Sequence, residues 1–84
     1  MQRIKMKDLN IVLDDINKVS RKNEGQVGSY LIDAAYGGYK LQRFEEKGGT
    51  FNVTSGYDTK KILYGKMQAF LSGLKMSRDI YTQR

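Results

Sequence analysis

The chain has neither cysteine nor histidine among its 84 residues. Without thiols it can form no disulfide, no thiolate nucleophile and no sulfur-ligated metal site. Without imidazole it lacks the usual general base near neutral pH and a common metal ligand. The sequence also shows no catalytic, metal-binding or phosphate-loop motif. We therefore expect a binding protein rather than an enzyme, with no metal and no cofactor.

Long apolar segments are also missing. No stretch approaches the ~20 apolar residues of a membrane span, and the basic N-terminal segment is not followed by the apolar region of a secretory signal. These features predict a cytoplasmic protein with no membrane partner. A chain this short buries only about 60–65% of its unfolded surface. We expect a single domain, residues 1–84, with flexible tails at 1–5 and 75–84.

Positive charge exceeds negative charge, with 15 Lys and Arg against 9 Asp and Glu and a net charge of +6. Such a balance favours anionic partners: nucleic acid, an acidic protein surface or anionic lipid. The same charge also serves solubility in small domains. The charge by itself leaves both interpretations open.

Proline is absent, so glycines divide the chain into segments. Helical periodicity predicts a first helix over Met6–Asn23 and a second over Asp58–Ser72, started by Asp58 or Thr59 and ended by Gly73. The apolar stripes of both helices belong in a core. Among their residues we expect Leu13, Leu63, Met67 and Phe70 to be buried.

Between the helices, apolar and polar residues alternate over Val27–Ala35, Tyr39–Glu46 and Thr50–Ser55, which predicts three strands. The pairs Gly37-Gly38 and Gly48-Gly49 are typical of hairpin turns. The predicted fold is α+β, in the order α-β-β-β-α, with two helices on one face of a three-stranded antiparallel meander. The other face, open to solvent or a partner, would carry Ser29, Asp33, Lys40, Gln42, Phe44, Asn52 and Thr54.

Two lysines, Lys60 and Lys61, lie in the first turn of the second helix. Cations there oppose the helix dipole at a cost of ~0.3–1 kcal/mol each. One interpretation is a phosphate-binding site built from ammonium groups and free backbone N–H groups. The other is a pair of exposed lysines that the fold tolerates.

Aromatic residues are numerous, with six tyrosines and three phenylalanines. Tyrosines beside cations can form a protein-binding patch or stack on bases, or they can cover hairpin ends. We select Tyr36, Lys40, Phe44 and Tyr57 as candidate partner-binding residues. An edge strand or the open face could also support a homo-oligomer.

A set of short motifs resembles a family of small uncharacterised proteins of tailed bacteriophages. The motifs are Val27-Gly28-Ser29-Tyr30, Ala35-Tyr36-Gly37-Gly38-Tyr39-Lys40-Leu41, Gly48-Gly49, Ser55-Gly56-Tyr57, Lys61-Ile62-Leu63-Tyr64 and the segment 67–74. The resemblance implies a phage accessory protein, such as a host-takeover or anti-defence factor that binds a host protein in the host cytoplasm. The alternative function is nucleic-acid binding through the lysines of the second helix.

The order α-β-β-β-α is also similar to that of the double-stranded-RNA-binding domain, in which lysines at the start of the last helix contact phosphates. Lys60 and Lys61 are the matching residues here. The chain departs from that pattern at the first hairpin, which lacks a Gly-Pro-x-His loop, and at the second helix, which lacks an alanine-rich face.

Overall fold

The computed structural model describes the backbone of residues 3–82 and the side chains as far as residue 77. Two helices flank three strands, and the sheet order β1-β2-β3 is antiparallel throughout. This confirms the predicted α-β-β-β-α arrangement. The elements are α1 (Met6–Val19), β1 (Tyr30–Ala35), β2 (Gly38–Phe44), β3 (Thr50–Asn52) and α2 (Lys60–Thr82). No helix within residues 3–82 has the length and hydropathy needed to cross a bilayer.

The core lies where the two helices pack against each other and against one face of the sheet. Its buried apolar residues are Leu9, Val12, Ile16, Tyr30, Leu41, Leu63, Met67 and Leu71. The prediction for Leu63 and Met67 is confirmed. For Leu13 and Phe70 it is wrong, since both are only partly buried. The Phe70 ring instead packs edge-on against the Tyr30 ring, 5.3 Å between centroids, at the margin of the core.

The first helix ends at Val19, earlier than the predicted Asn23. Arg21 takes a left-handed conformation with φ 58°, which a helix cannot continue. The Arg21 and Lys22 N–H groups then donate to the carbonyls of Lys18 and Asn17, a pattern that terminates many helices. Glycine usually occupies this position, so an arginine gave no warning of the helix end.

The second helix begins after Thr59, whose hydroxyl accepts the Ile62 N–H at 3.3 Å and confirms it as the cap. The predicted end at Ser72 is wrong, because the helix continues through Gly73 to Thr82. An interior glycine costs a helix only about 1 kcal/mol, which a long packed helix can absorb. The segment predicted as a tail from Lys75 is therefore helical as far as Thr82, while residues 83–84 lie outside the described part.

At the N-terminus, the segment predicted as a tail contributes to the fold. Ile4 packs against the core, and the Lys5 N–H donates to the Asp8 carboxylate at 2.8 Å. Residues 1–2 are outside the described part of the chain.

The outer face of the sheet is less open than predicted. Ser29 is fully buried, because β1 begins only at Tyr30 and the Ser29 hydroxyl donates back to the Gln26 carbonyl. Gln42 is also buried, and its amide donates to the Asn52 side chain at 2.9 Å. Neither residue is therefore part of an open surface.

The third strand ends at Asn52 instead of Ser55. Beyond it, the Thr54 hydroxyl accepts the Leu41 N–H at 3.1 Å. The Leu41 carbonyl still accepts the Val53 N–H at 2.9 Å, so a side chain replaces the backbone partner only for the Leu41 N–H.

Candidate binding surface at the β1–β2 turn

The turn between β1 and β2 consists of Tyr36 and Gly37, since Ala35 pairs directly with Gly38. Both turn residues have positive φ, 54° and 72°, the conformation of a tight hairpin turn that matches strand twist. The expected Gly37-Gly38 turn is thus wrong by one residue. Asparagine or glycine is usual at the first position, and other residues are strained there. The Tyr36 side chain is 94% exposed, so burial of its ring does not offset this strain.

Gly38 is required by a close approach, not by turn geometry. A Cβ added to it would lie 2.9 Å from the Cβ of Tyr57 and 3.1 Å from its carbonyl carbon. The segment containing Tyr57 reaches this position because Asp58 and Tyr39 exchange two backbone hydrogen bonds of 2.8 Å. A glycine in β2 therefore lets the chain after β3 return to the sheet beside the turn.

Tyr57 is held by three side chains around it. Its hydroxyl donates to the Asp33 carboxylate at 2.5 Å, and the Lys40 ammonium lies 4.4 Å from its ring centroid. The Tyr36 ring meets it edge-on, with centroids 5.4 Å apart. The hydrogen bond to Asp33, followed by desolvation and the carboxylate charge, raises the pKa of the Tyr57 hydroxyl. We call Asp33, Tyr36, Lys40 and Tyr57 the tyrosine patch.

A depression of about 570 Å³ has Gly37 of the same turn in its lining. It is lined by three basic residues, Arg3, Lys60 and Lys61, together with Ile4, Gly37, Tyr39 and Thr59. No acidic residue lies in the first turn of α2, and none lines this depression. The Lys60 ammonium also lies 5.5 Å from the centroid of the Tyr39 ring. We call this region the basic depression.

The structure brings most of the candidate residues to one end of the molecule. Tyr36 of the tyrosine patch and Gly37 of the basic depression are consecutive residues, so the two candidate sites adjoin. Phe44 is the exception, because it lies four residues along β2 from Lys40, roughly 13 Å away. Phe44 lies at the opposite end of β2, where its carbonyl accepts the Gly28 N–H.

Two charged members of this surface were not selected from the sequence as site residues. Arg3 lies in a segment predicted as a tail, and no local pattern connects it with Lys60. Asp33 had a usable signal, because pairing of the two strands across the turn sets it opposite Lys40. Its hydrogen bond to Tyr57, 24 residues away, has no signal in the sequence.

No protein-family model, curated protein or solved structure matches this chain. The described residues also contain no group of three or more carboxylates placed to hold a metal ion.

Proposed function

We propose that the protein is a non-catalytic binding protein that docks on another protein through the tyrosine patch. The observation that carries this proposal is Tyr36, an almost fully exposed ring on a backbone conformation that disfavours tyrosine. The choice of residue at this position opposes stability, so it favours a role in contact with a partner.

The support around Tyr36 fits such a role. Tyr57 is fixed by Asp33 and Lys40, and it gives the Tyr36 ring a neighbour that limits its orientations. Tyrosine loses little conformational entropy on binding and is enriched among residues that dominate binding energy. The adjoining cations of the basic depression favour a partner surface that carries carboxylates.

The phage resemblance suggests where this binding would occur. On that basis the proposed partner is a host protein met in the host cytoplasm. The proposed role is that of an accessory factor for host takeover or against host defence. The absence of histidine and cysteine supports a role in binding rather than catalysis.

A photo-cross-linking amino acid at position 36 tests the docking proposal. In a lysate of the bacterial host, we expect the cross-linker to capture one discrete protein. The same protein should be captured after the lysate is treated with nuclease. The same amino acid at position 51 is the control, because Phe51 is an exposed aromatic residue, 54% exposed, away from the patch. Tyr36→Asn in an affinity-tagged chain should lose the partner, since asparagine keeps the turn but removes the ring. The proposal would be contradicted if positions 36 and 51 captured the protein equally, or if Tyr36→Asn still retained the partner.

The second candidate function is nucleic-acid binding, favoured by the basic depression with its three cations. Each phosphate neutralised on duplex DNA contributes a slope of about −0.9 to the dependence of log affinity on log salt. Three cations predict a slope of roughly −2 to −3. Lys60→Gln with Lys61→Gln should flatten it by about two units.

The matched control is Lys47→Gln with Lys75→Gln, which removes the same charge from exposed positions outside the depression. A site at the basic depression requires that this control keep the slope of the unmodified protein. Absence of binding at low salt to both duplex and single strands would exclude this second function.

A further inference from the structure

The first strand lies at an edge of the sheet, and its backbone groups alternate between two directions. Since the Ser29 carbonyl accepts the Phe44 N–H, the alternation directs Leu31 and Asp33 toward β2. The backbone groups of the alternate residues, Tyr30, Ile32 and Ala34, point away from the sheet.

Asn17 of α1 completes the edge at Tyr30. The Tyr30 N–H donates to the Asn17 side-chain oxygen at 2.7 Å, and the Asn17 amide donates to the Tyr30 carbonyl at 3.2 Å. One amide thus provides both the acceptor and the donor that a residue of a neighbouring strand would offer. Asn17 is buried, so this pairing is a fixed part of the structure.

No described residue continues this pairing at Ile32 or Ala34. Beside this part of the chain, a groove of about 710 Å³ separates β1 from α1. Met6 and Leu13 contribute apolar surface to the helix wall of the groove, and Ile32 lines the strand wall. Polar and charged side chains, from α1 and the segment that follows it, line the rest of the groove. An open strand edge next to such a groove can accept an added strand.

The charge on the edge indicates what such a strand would carry. Asp33 accepts the Tyr57 hydroxyl but forms no ion pair with any described cation. Lys40, the residue opposite Asp33 on β2, lies over the Tyr57 ring instead. In an added strand, the residue opposite Asp33 would lie on the same face, where an opposite charge stabilises the pair. Its two neighbours would point toward the groove side of the sheet, where apolar side chains fit.

We propose that the open edge of β1 binds an extended peptide in which a lysine or arginine faces Asp33 and apolar residues flank it. The added strand runs antiparallel, the more stable pairing, so the two flanking residues exchange hydrogen bonds with Ile32 and Ala34. This site adjoins the docking face of Tyr36 and shares Asp33 with it, but its hydrogen-bonding groups are those of the β1 edge.

A second copy of the chain fits the edge less well. Twofold antiparallel pairing centred on Asp33 would set this carboxylate opposite its copy, and like charges there are destabilising. Pairing centred on Ile32 would need the Tyr30 groups, which Asn17 already occupies. The charge and the side-chain cap both favour a peptide from another protein.

The probe is a blocked peptide of sequence Thr-Thr-Val-Lys-Val-Thr-Thr, titrated into the intact protein and followed by NMR. We expect shifted resonances and slowed exchange at the Ile32 and Ala34 amides. Replacing the peptide lysine by glutamate should weaken binding about tenfold, as should N-methylation of the two valines. N-methylation of the lysine, whose N–H points away from the edge, is the matched control and should keep the affinity.

Variants of the protein give an independent readout. Asp33→Asn should remove the preference for the lysine peptide over the glutamate peptide. Ala34→Pro removes an outward N–H and should abolish binding; the peptide modifications decide the question if this variant does not fold. Equal affinity of the lysine and glutamate peptides would overturn the proposal, as would unchanged Ile32 and Ala34 amides. Exchange at Ile32 that slows with protein concentration alone would also overturn it, because a second copy would then be the occupant.

Discussion

The two faces of the sheet are organised by different interactions. On the inner face, Leu41, Leu63 and Met67 are fully buried between the sheet and the helices. On the outer face, Asp33, Lys40 and Tyr57 are half-buried and held by a hydrogen bond and a cation–π contact. Apolar burial contributes most of the stability of a small domain. The inner face therefore provides most of the free energy of folding. The contacts on the outer face orient the side chains of the tyrosine patch and contribute little to that free energy.

The largest expected effect is on the inner face. Met67→Ala should lower the free energy of unfolding by about 2–5 kcal/mol, because it leaves a cavity where α2 meets the core. Urea unfolding measures the loss as a lower midpoint. Met76→Ala on the same helix is the control: Met76 is 65% exposed, so its truncation should change stability by less than about 0.5 kcal/mol. Similar losses for the two variants would contradict the assignment of the core.

A smaller effect is expected where the Tyr57 segment meets β2. Gly38→Ala places a Cβ against atoms of Tyr57 that include its backbone, which should cost about 1–3 kcal/mol. The Tyr57 and Tyr36 ring resonances should shift as their contact is lost. Gly49→Ala is the matched control, since nothing lies within 4 Å of the added atom. If Gly38→Ala were as stable as Gly49→Ala, the close approach of Tyr57 would be refuted.

The solvent side of α2 allows a substitution of opposite sign. Gly73→Ala should raise the free energy of unfolding by about 0.5–1 kcal/mol, because alanine restricts the unfolded chain and meets nothing within 4 Å. The measurement is the urea midpoint. Gly25→Ala is the control, since its φ of 81° makes a side chain unfavourable. A stability loss in Gly73→Ala would contradict the continuous helix through this residue.

The smallest effect concerns ionisation on the outer face. The Tyr57 pKa is raised, so the folded state favours the neutral hydroxyl. This contribution to stability is complete below the ordinary tyrosine pKa of about 10 and is lost as pH rises through the higher folded value. In a pH titration followed by tyrosinate absorbance, one tyrosine should ionise at a higher pH than an ordinary tyrosine. Tyr57→Phe should remove it, and Asp33→Asn should return it toward the ordinary range. A late group that persists in both variants would assign the shift to another tyrosine.

Patterns within short segments were enough to predict the architecture. Helical spacing and strand alternation identified all five elements and their order, and Leu63 and Met67 were correctly assigned to the core. These features depend on neighbours a few residues apart, and a periodic apolar pattern reports them directly. Lys60 and Lys61 were also recognisable as a pair at the start of a helix, although their function stays a prediction.

Only the tertiary structure decided the details that shape the surfaces. The left-handed conformation of Arg21 after α1, the turn at Tyr36 and the passage of α2 through Gly73 all run against local preference. The bond between Asp33 and Tyr57 and the pairing of Asn17 with Tyr30 join residues far apart in sequence. The physical reason is that packing and long-range hydrogen bonds, in which these segments participate, can outweigh local propensities of about 1 kcal/mol.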